Sequence, residues 1–123
     1  MGLINLEPTL HDGERVLWRR PAALSLPDRL VAGLLLLTSE AVVFMPNRLN
    51  RRRYIVSTRL SLGSISHVGT VEPVRSLSAR RNGGMRRRLL IAAGDESHLL
   101  VINHPERVAR ELRSALPGSR GRA

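Results

Sequence analysis

Residues 30–46 have the sequence LVAGLLLLTSEAVVFMP, and this stretch decides the fold. Two apolar segments rich in strand-forming residues, 30–38 and 41–45, meet at Thr38-Ser39-Glu40. This pattern predicts a β-hairpin whose two strands are both substantially buried. The longest apolar run falls well short of the roughly 18 to 20 residues that a membrane-spanning helix needs. We therefore expect a β-rich domain built on a buried hairpin.

Further strands are predicted on both sides of this hairpin. They cover residues 16–24, where Pro21 breaks or ends the strand, residues 54–62, a short piece at 71–74, and a last hairpin of 89–93 with 98–102. Leu62, Ile65 and Val68 recur every three residues, a spacing that favours a tight helical turn or a corner between sheets. About seven strands are expected.

One helix is predicted near the C-terminal end. Pro105 stands at its first position, where a missing N–H costs nothing, and Pro117-Gly118 ends it. Its apolar face comprises Val108, Ala109, Leu112, Ala115 and Leu116. Two i, i+4 ion pairs are expected on its solvent side, Glu106 with Arg110 and Arg107 with Glu111. Such a helix would cover the open end of a small β-barrel or sandwich.

The chain of 123 residues is long enough for one domain. We assign residues 1–10 to an N-terminal arm, 11–116 to the domain and 117–123 to a flexible basic tail. Cysteine is absent, which excludes disulfides, thiolate zinc sites and thiol nucleophiles. The first residues lack the basic start and apolar core of a secretory signal, so a cytoplasmic location is expected.

The net charge of +10 comes entirely from arginine, because all twenty basic residues are Arg. A GC-rich genome would produce many arginines without selection for binding, so their position is more informative than their number. Residues 47–93 contain eleven Arg and one acid, whereas the flanking segments are nearly neutral. This clustering predicts a basic surface whose partners are polyanions.

The candidate anion-binding arginines form two clusters. The first, Arg48, Arg51, Arg52 and Arg53, follows the third predicted strand; the second, Arg75, Arg80, Arg81, Arg86, Arg87 and Arg88, follows the fifth. In a simple up-and-down barrel the odd-numbered connections open at the same end, so both clusters would share one rim, with Arg19, Arg20 and Arg29 near the first connection. Guanidinium groups bind phosphate oxygens in a bidentate manner.

Catalytic and metal sites are not indicated. The four histidines lack metal-ligand spacing, and neither a nucleophile elbow nor a paired-carboxylate site occurs. The Gly-rich segment Asn82-Gly83-Gly84 lacks the context of a phosphate-binding P-loop and predicts a turn. We expect no catalytic residue, no metal and no cofactor.

Four motifs in order resemble the GRAM-type branch of the pleckstrin-homology-like (PH-like) domains. They are Leu10-His11-Asp12-Gly13-Glu14, the hairpin segment 37–46, the triplet Leu62, Ile65 and Val68, and Asn103-His104-Pro105-Glu106. The hairpin departs from the family pattern at Glu40-Ala41, and aromatic residues are scarce, which favours a divergent bacterial version. The resemblance implies a mostly β fold, a barrel or sandwich of about seven strands capped by one helix.

The resemblance also implies a non-enzymatic binding or adaptor role. Together with the arginine clusters, it predicts docking on an anionic phospholipid surface or an acidic protein, with the domain peripheral on the inner face of the membrane. One alternative is a protein-docking or homo-oligomerising scaffold without lipid binding. A lower-ranked alternative is non-specific nucleic-acid binding, which the scarcity of aromatic residues disfavours.

Overall fold

The computed structural model describes residues 10–47 and 57–119, which form seven strands and one α-helix. The strands are β1 Val16–Ser25, β2 Leu30–Thr38, β3 Ala41–Pro46, β4 Thr58–Ser61, β5 Ile65–Val71, β6 Arg88–Ala93 and β7 Glu96–Ile102. The helix, α1, covers Pro105–Ala115. Short 3-10 turns occupy Leu62–Ser64, Leu77–Arg80 and Pro117–Ser119. The predicted fold class is confirmed.

The strands form one antiparallel sheet in the order β4-β3-β2-β1-β7-β6-β5. Two meanders, β1 to β4 and β5 to β7, are therefore joined through β1. This strand pairs with β2 from Val16 to Ser25 and with β7 only over residues 22–24. The short β1–β7 ladder lets the two halves diverge, so they enclose one core between them.

The central hairpin matches its prediction. Strands β2 and β3 are connected by the two residues Ser39 and Glu40, and all six residues of β3 are buried. Gly33 interrupts the apolar run at a close crossing of the two backbones. A Cβ atom at this position would lie 2.2 Å from the carbonyl oxygen of Met45. The glycine is thus required by the approach of β3.

Strand β1 runs through Pro21 without a break, so the predicted interruption there is wrong. Pro21 is opposite Leu34 of β2, and the pairing of β1 with β7 begins only at Ala22. Proline has no N–H to donate to a neighbouring strand, and it is therefore found where one side of a strand is unpaired. It is tolerated here because the β1–β7 ladder does not extend to it.

The corner predicted from Leu62, Ile65 and Val68 is present at Leu62 only, and the other two residues belong to a strand. Leu62 begins a 3-10 turn, and Ile65 and Val68 are both buried in β5. Two residues three apart can face the same side because the register of β5 against β6 shifts between Ile65 and His67. Val74 was predicted on a strand, but β5 ends at Val71, and Val74 is 47% exposed.

Helix α1 closes the core on the side of β5 and β6. Its buried residues are Val108, Ala109 and Leu112, as the apolar spacing predicted. They join one core cluster with residues from both meanders, including Leu35, Leu89 and Leu100. Within the described residues, no helix is long and apolar enough to cross a bilayer.

Candidate anion-binding surface

The sheet does not follow simple up-and-down order. Strict alternation over seven strands would make β1 and β7 parallel, whereas they are neighbours and antiparallel. The alternation is lost at the corner of residues 62–64, which connects β4 to β5. The assumption that all odd-numbered connections open at one end is therefore wrong for this chain.

The β5–β6 connection nevertheless reaches the β1–β2 turn by folding back over the sheet. We call residues 72–87 the basic loop. The hydroxyl of Ser25 donates to the carbonyl oxygen of Asn82 at 2.5 Å, and the side-chain amide of Asn82 donates to the carbonyl oxygen of Pro27 at 3.3 Å. The tip of the basic loop is thus fixed to the β1–β2 turn.

The basic loop is also held together internally. The N–H of Val74 donates to the carbonyl oxygen of Gly84 at 2.7 Å, which ties its two arms. The N–H of Gly84 donates to the carbonyl oxygen of Ala79 at 2.9 Å, and the side chain of Ala79 is buried beneath the loop. Its exposed side chains therefore project from an ordered backbone.

Gly83 allows the loop to lie flat on the sheet. Its φ is +77°, and a Cβ atom there would lie 2.4 Å from Val101 and 3.1 Å from Leu30. We expect Gly83→Ala to lower the free energy of unfolding by about 2 kcal/mol, because it adds backbone strain and overpacking. Urea unfolding measures this effect. Gly63→Ala, where a Cβ would meet no atom within 4 Å, is the control and should change stability by much less.

Three of the predicted arginines in the basic loop are exposed. Arg80, Arg81 and Arg86 present their side chains to solvent, and within the described residues none of them forms an ion pair. Arg75 and Arg29, on the same loop and on the β1–β2 turn, are exposed as well. Asp28 is the one acid on that turn. This part of the molecule therefore carries a concentrated positive charge.

Arg87 and Arg88 have structural roles instead. Arg87 binds both carboxylate oxygens of Glu72, at 2.7 and 3.2 Å, and its Nε lies 2.8 Å from Glu106 of α1. Arg88 is buried and donates to the hydroxyl of Ser25 at 2.9 Å. Arg87 is bound to two carboxylates and Arg88 is buried, so neither belongs with the exposed arginines as a candidate for anion binding.

Arg19 and Arg20 lie in the middle of β1, opposite Leu36 and Leu35, and not at the first connection. Arg20 is 2.5 Å from the carboxylate of Glu111, and its guanidinium lies 4.3 Å from the ring centre of Trp18. Arg20 therefore ties β1 to α1. The two acids of α1 bind partners outside the helix and not the predicted arginines within it. Glu111 binds Arg20, and Glu106 binds Arg87.

The first arginine cluster, Arg48, Arg51, Arg52 and Arg53, lies outside the described residues. The chain approaches this segment at Asn47, whose N–H donates to the carbonyl oxygen of Ala32 at 2.9 Å. Ala32 lies near the start of β2, close in sequence to the β1–β2 turn. Asn47, the last described residue before this cluster, is thus near the turn that the basic loop contacts.

A buried polar cluster that the sequence did not predict lies at the β2–β3 turn. The carboxylate of Glu14 accepts three hydrogen bonds. The donors are the hydroxyl of Thr38, the backbone N–H of His11 at 2.9 Å and the guanidinium of Arg59 at 3.1 Å. Burial raises the pKa of Glu14, but these hydrogen bonds and the charge of Arg59 outweigh it and lower the pKa to about 2. Two sequence motifs, one containing Glu14 and the other Thr38, are joined by this contact.

This cluster is not a convincing cation site. His11, Glu14 and Glu40 place one potential ligand atom each within 4.8 Å of the others. However, the guanidinium of Arg59 lies 3.1 Å from Glu14 and 3.8 Å from Glu40. Arginine already supplies the positive charge that a metal ion would bring, so the cluster is explained as a structural ion-pair network.

The interior of the sheet offers little space for a ligand. A cavity lined by Leu24, Leu35, Phe44, Ile91 and His98, among others, has a volume of about 10 Å³. This volume corresponds to roughly one water molecule. This cavity is therefore too small for a ligand much larger than water.

The antiparallel seven-stranded sheet with its C-terminal helix resembles solved structures. One match is the N-terminal PH domain of Vps36, with 16% identity, a TM-score of 0.64, and coverage of 94% of this chain and 88% of that one. The chain has a PH-like fold. A second match is the C-terminal domain of an unknown protein from Leishmania infantum, with 12% identity, a TM-score of 0.61 and coverage of 85% of both chains. No family model and no curated protein matches the sequence.

Proposed function

We propose that this chain is a non-enzymatic module, of the GRAM-type branch of PH-like domains, that docks peripherally on an anionic lipid surface. PH-like folds often mediate lipid or protein binding and are typically non-catalytic. The observation that carries the proposal is the exposure of Arg80, Arg81 and Arg86 on a loop that is fixed to the β1–β2 turn. The proposed location is the cytoplasmic face of a membrane, and a divergent bacterial origin remains part of this proposal.

Electrostatics favour such a surface. Each Arg near an anionic membrane contributes about 1 kcal/mol of attraction. The ordered backbone of the basic loop lowers the entropy lost when its side chains bind. Arg48, Arg51, Arg52 and Arg53 would add to this attraction if they join the same surface. Nucleic acid is a weaker candidate, because Phe44 is buried and Trp18 is partly buried beneath Arg20, so neither offers a free ring for base stacking.

Vesicle co-sedimentation tests the proposal. We expect the protein to sediment with vesicles containing phosphatidylserine and to remain in the supernatant with vesicles of pure phosphatidylcholine. Combined replacement of Arg80, Arg81 and Arg86 by Ser should lower the partition coefficient roughly 100-fold, since it removes three charges. Equal binding to both vesicle types, or binding to neither, would reject the membrane role.

A second triple variant, with the same net charge as the loop variant, serves as the control. Combined replacement of Arg15, Arg107 and Arg110 by Ser removes three other exposed arginines, one before β1 and two on α1. It should reduce vesicle binding much less than the loop variant does. A similar reduction in both variants would show that total charge, and not the basic loop, determines binding.

A further inference from the structure

The face of the β2–β3 hairpin that points away from α1 carries a second buried apolar cluster, and we call it the outer face. The members of the cluster are Leu36, Ala41, Val43 and Met45, with Val16 and Leu34 packed against them. Leu36 is fully buried, and Met45 is 1% exposed. The alternating residues Leu35, Leu37 and Phe44 point to the opposite side and pack in the main core with α1.

Among the described residues, no apolar side chain from a second layer packs on the outer face. Val16 and Leu34, which pack against the cluster, belong to the same sheet, and α1 packs on β5 and β6. Neighbours within a sheet shield a side chain from the sides, whereas shielding from above needs another layer. The burial of Leu36 and Met45 therefore indicates that a segment outside the described residues covers them.

Charge favours residues 1–9 as this cover. Arg19 and Arg59 flank the outer face, because they lie opposite Leu36 and Val43 on the adjacent strands. The segments 48–56 and 120–123 would bring further arginines between them, whereas residues 1–9 contain no basic side chain and one acid. The apolar side chains of residues 1–9 include Leu3, Ile4 and Leu6.

The described chain begins beside the outer face. The Nδ1 atom of His11 lies 2.9 Å from the carboxylate of Glu40 and 3.3 Å from the guanidinium of Arg59. Residues 1–9 therefore start at the Glu40 end of the hairpin. Nine extended residues reach about 30 Å, whereas the strand from Glu40 to Met45 spans about 17 Å. The segment is long enough to run along the whole outer face.

We propose that residues 1–9 pack on the outer face, place their apolar side chains over Leu36, Val43 and Met45, and thereby close this face to other proteins. The inference does not depend on the proposed function. All six residues of β3 are buried, and a strand buried on both faces needs a layer on each side. The main core supplies one layer, and residues 1–9 supply the other.

Oxidation by dilute peroxide measures the cover, because a buried methionine sulfur reacts slowly. In the full chain we expect Met85, which is 45% exposed, to react quickly and Met45 to react slowly. The arm variant combines the replacements Leu3→Ser, Ile4→Ser and Leu6→Ser. It should raise the oxidation rate of Met45 at least about tenfold and leave the rate of Met85 unchanged.

The matched control combines Leu17→Ser and Val74→Ser. Both residues are exposed, and neither belongs to the outer cluster. This control should change neither oxidation rate. An unchanged rate at Met45 in the arm variant would overturn the inference, because another segment would then cover the face.

A second measurement keeps the apolar side chains of the segment in place, so it does not depend on the folding of the arm variant. The chain has no cysteine, so a nitroxide can be attached at Asn5→Cys alone. We expect it to broaden the methyl NMR signal of Met45 more than that of Met85. Mixing the nitroxide-labelled protein with isotope-labelled protein that lacks the nitroxide should abolish this broadening. Broadening that persists in the mixture would assign the face to a second copy, and equal broadening of the two signals would place the segment elsewhere; either result overturns the inference.

Discussion

Glu14→Gln is expected to lower the free energy of unfolding by about 3 kcal/mol at neutral pH, because it breaks a buried charge network. The glutamine amide would face the Thr38 hydroxyl or the His11 N–H with a donor where an acceptor is needed. Among the described residues, Arg59 would keep Glu40 as its one ion-pair partner, at 3.8 Å. Equilibrium urea unfolding measures the change.

The same variant should alter the acid sensitivity of the fold. Glu14 has its pKa lowered from 4.5 to about 2, so the native state binds fewer protons than the unfolded state between these values. The stabilisation is therefore complete above about pH 4.5 and is lost as the pH falls towards 2. The unfolding free energy of the wild type should decline across this window more steeply than that of Glu14→Gln.

Glu40→Gln provides the comparison for both measurements. The Glu40 side chain is 42% exposed, although it also contacts His11 and Arg59. Exposed ion pairs contribute about 1 kcal/mol or less. Two results would contradict the view that the buried carboxylate of Glu14 holds this network together. One is a loss of unfolding free energy in Glu40→Gln as large as that in Glu14→Gln. The other is an unfolding free energy that falls with pH equally in Glu14→Gln and the wild type.

Leu112→Ala should destabilise the protein by about 4 kcal/mol, because it opens a cavity where α1 closes the core. Leu112 is fully buried and packs in the same cluster as Leu89 and Leu100. Urea unfolding followed by circular dichroism gives the magnitude. Leu17→Ala removes the same atoms from an exposed site and should cost less than about 0.5 kcal/mol. A loss below about 1 kcal/mol for Leu112→Ala would show that α1 contributes little to the core.

Local sequence patterns were sufficient to predict most secondary structure. The β2–β3 hairpin and α1 were predicted because their apolar spacing reflects burial within a short segment. The path of β1 through Pro21 and the end of β5 before Val74 were not predictable in this way. Both depend on which partner strand lies alongside, and that is decided by residues far away in the chain.

The arginines in the middle of the chain show the same difference between what local sequence predicts and what distant residues decide. The sequence by itself determined that the surplus charge lies there and that a mostly β domain with one C-terminal helix would carry it. Only the tertiary structure decided which charges face solvent. Arg86, Arg87 and Arg88 are consecutive, yet the first is exposed, the second is bound by Glu72 and Glu106, and the third is buried against Ser25. Their different positions follow from Glu106 of α1 and Ser25 of β1, which folding brings next to Arg87 and Arg88, and no local pattern encodes those contacts.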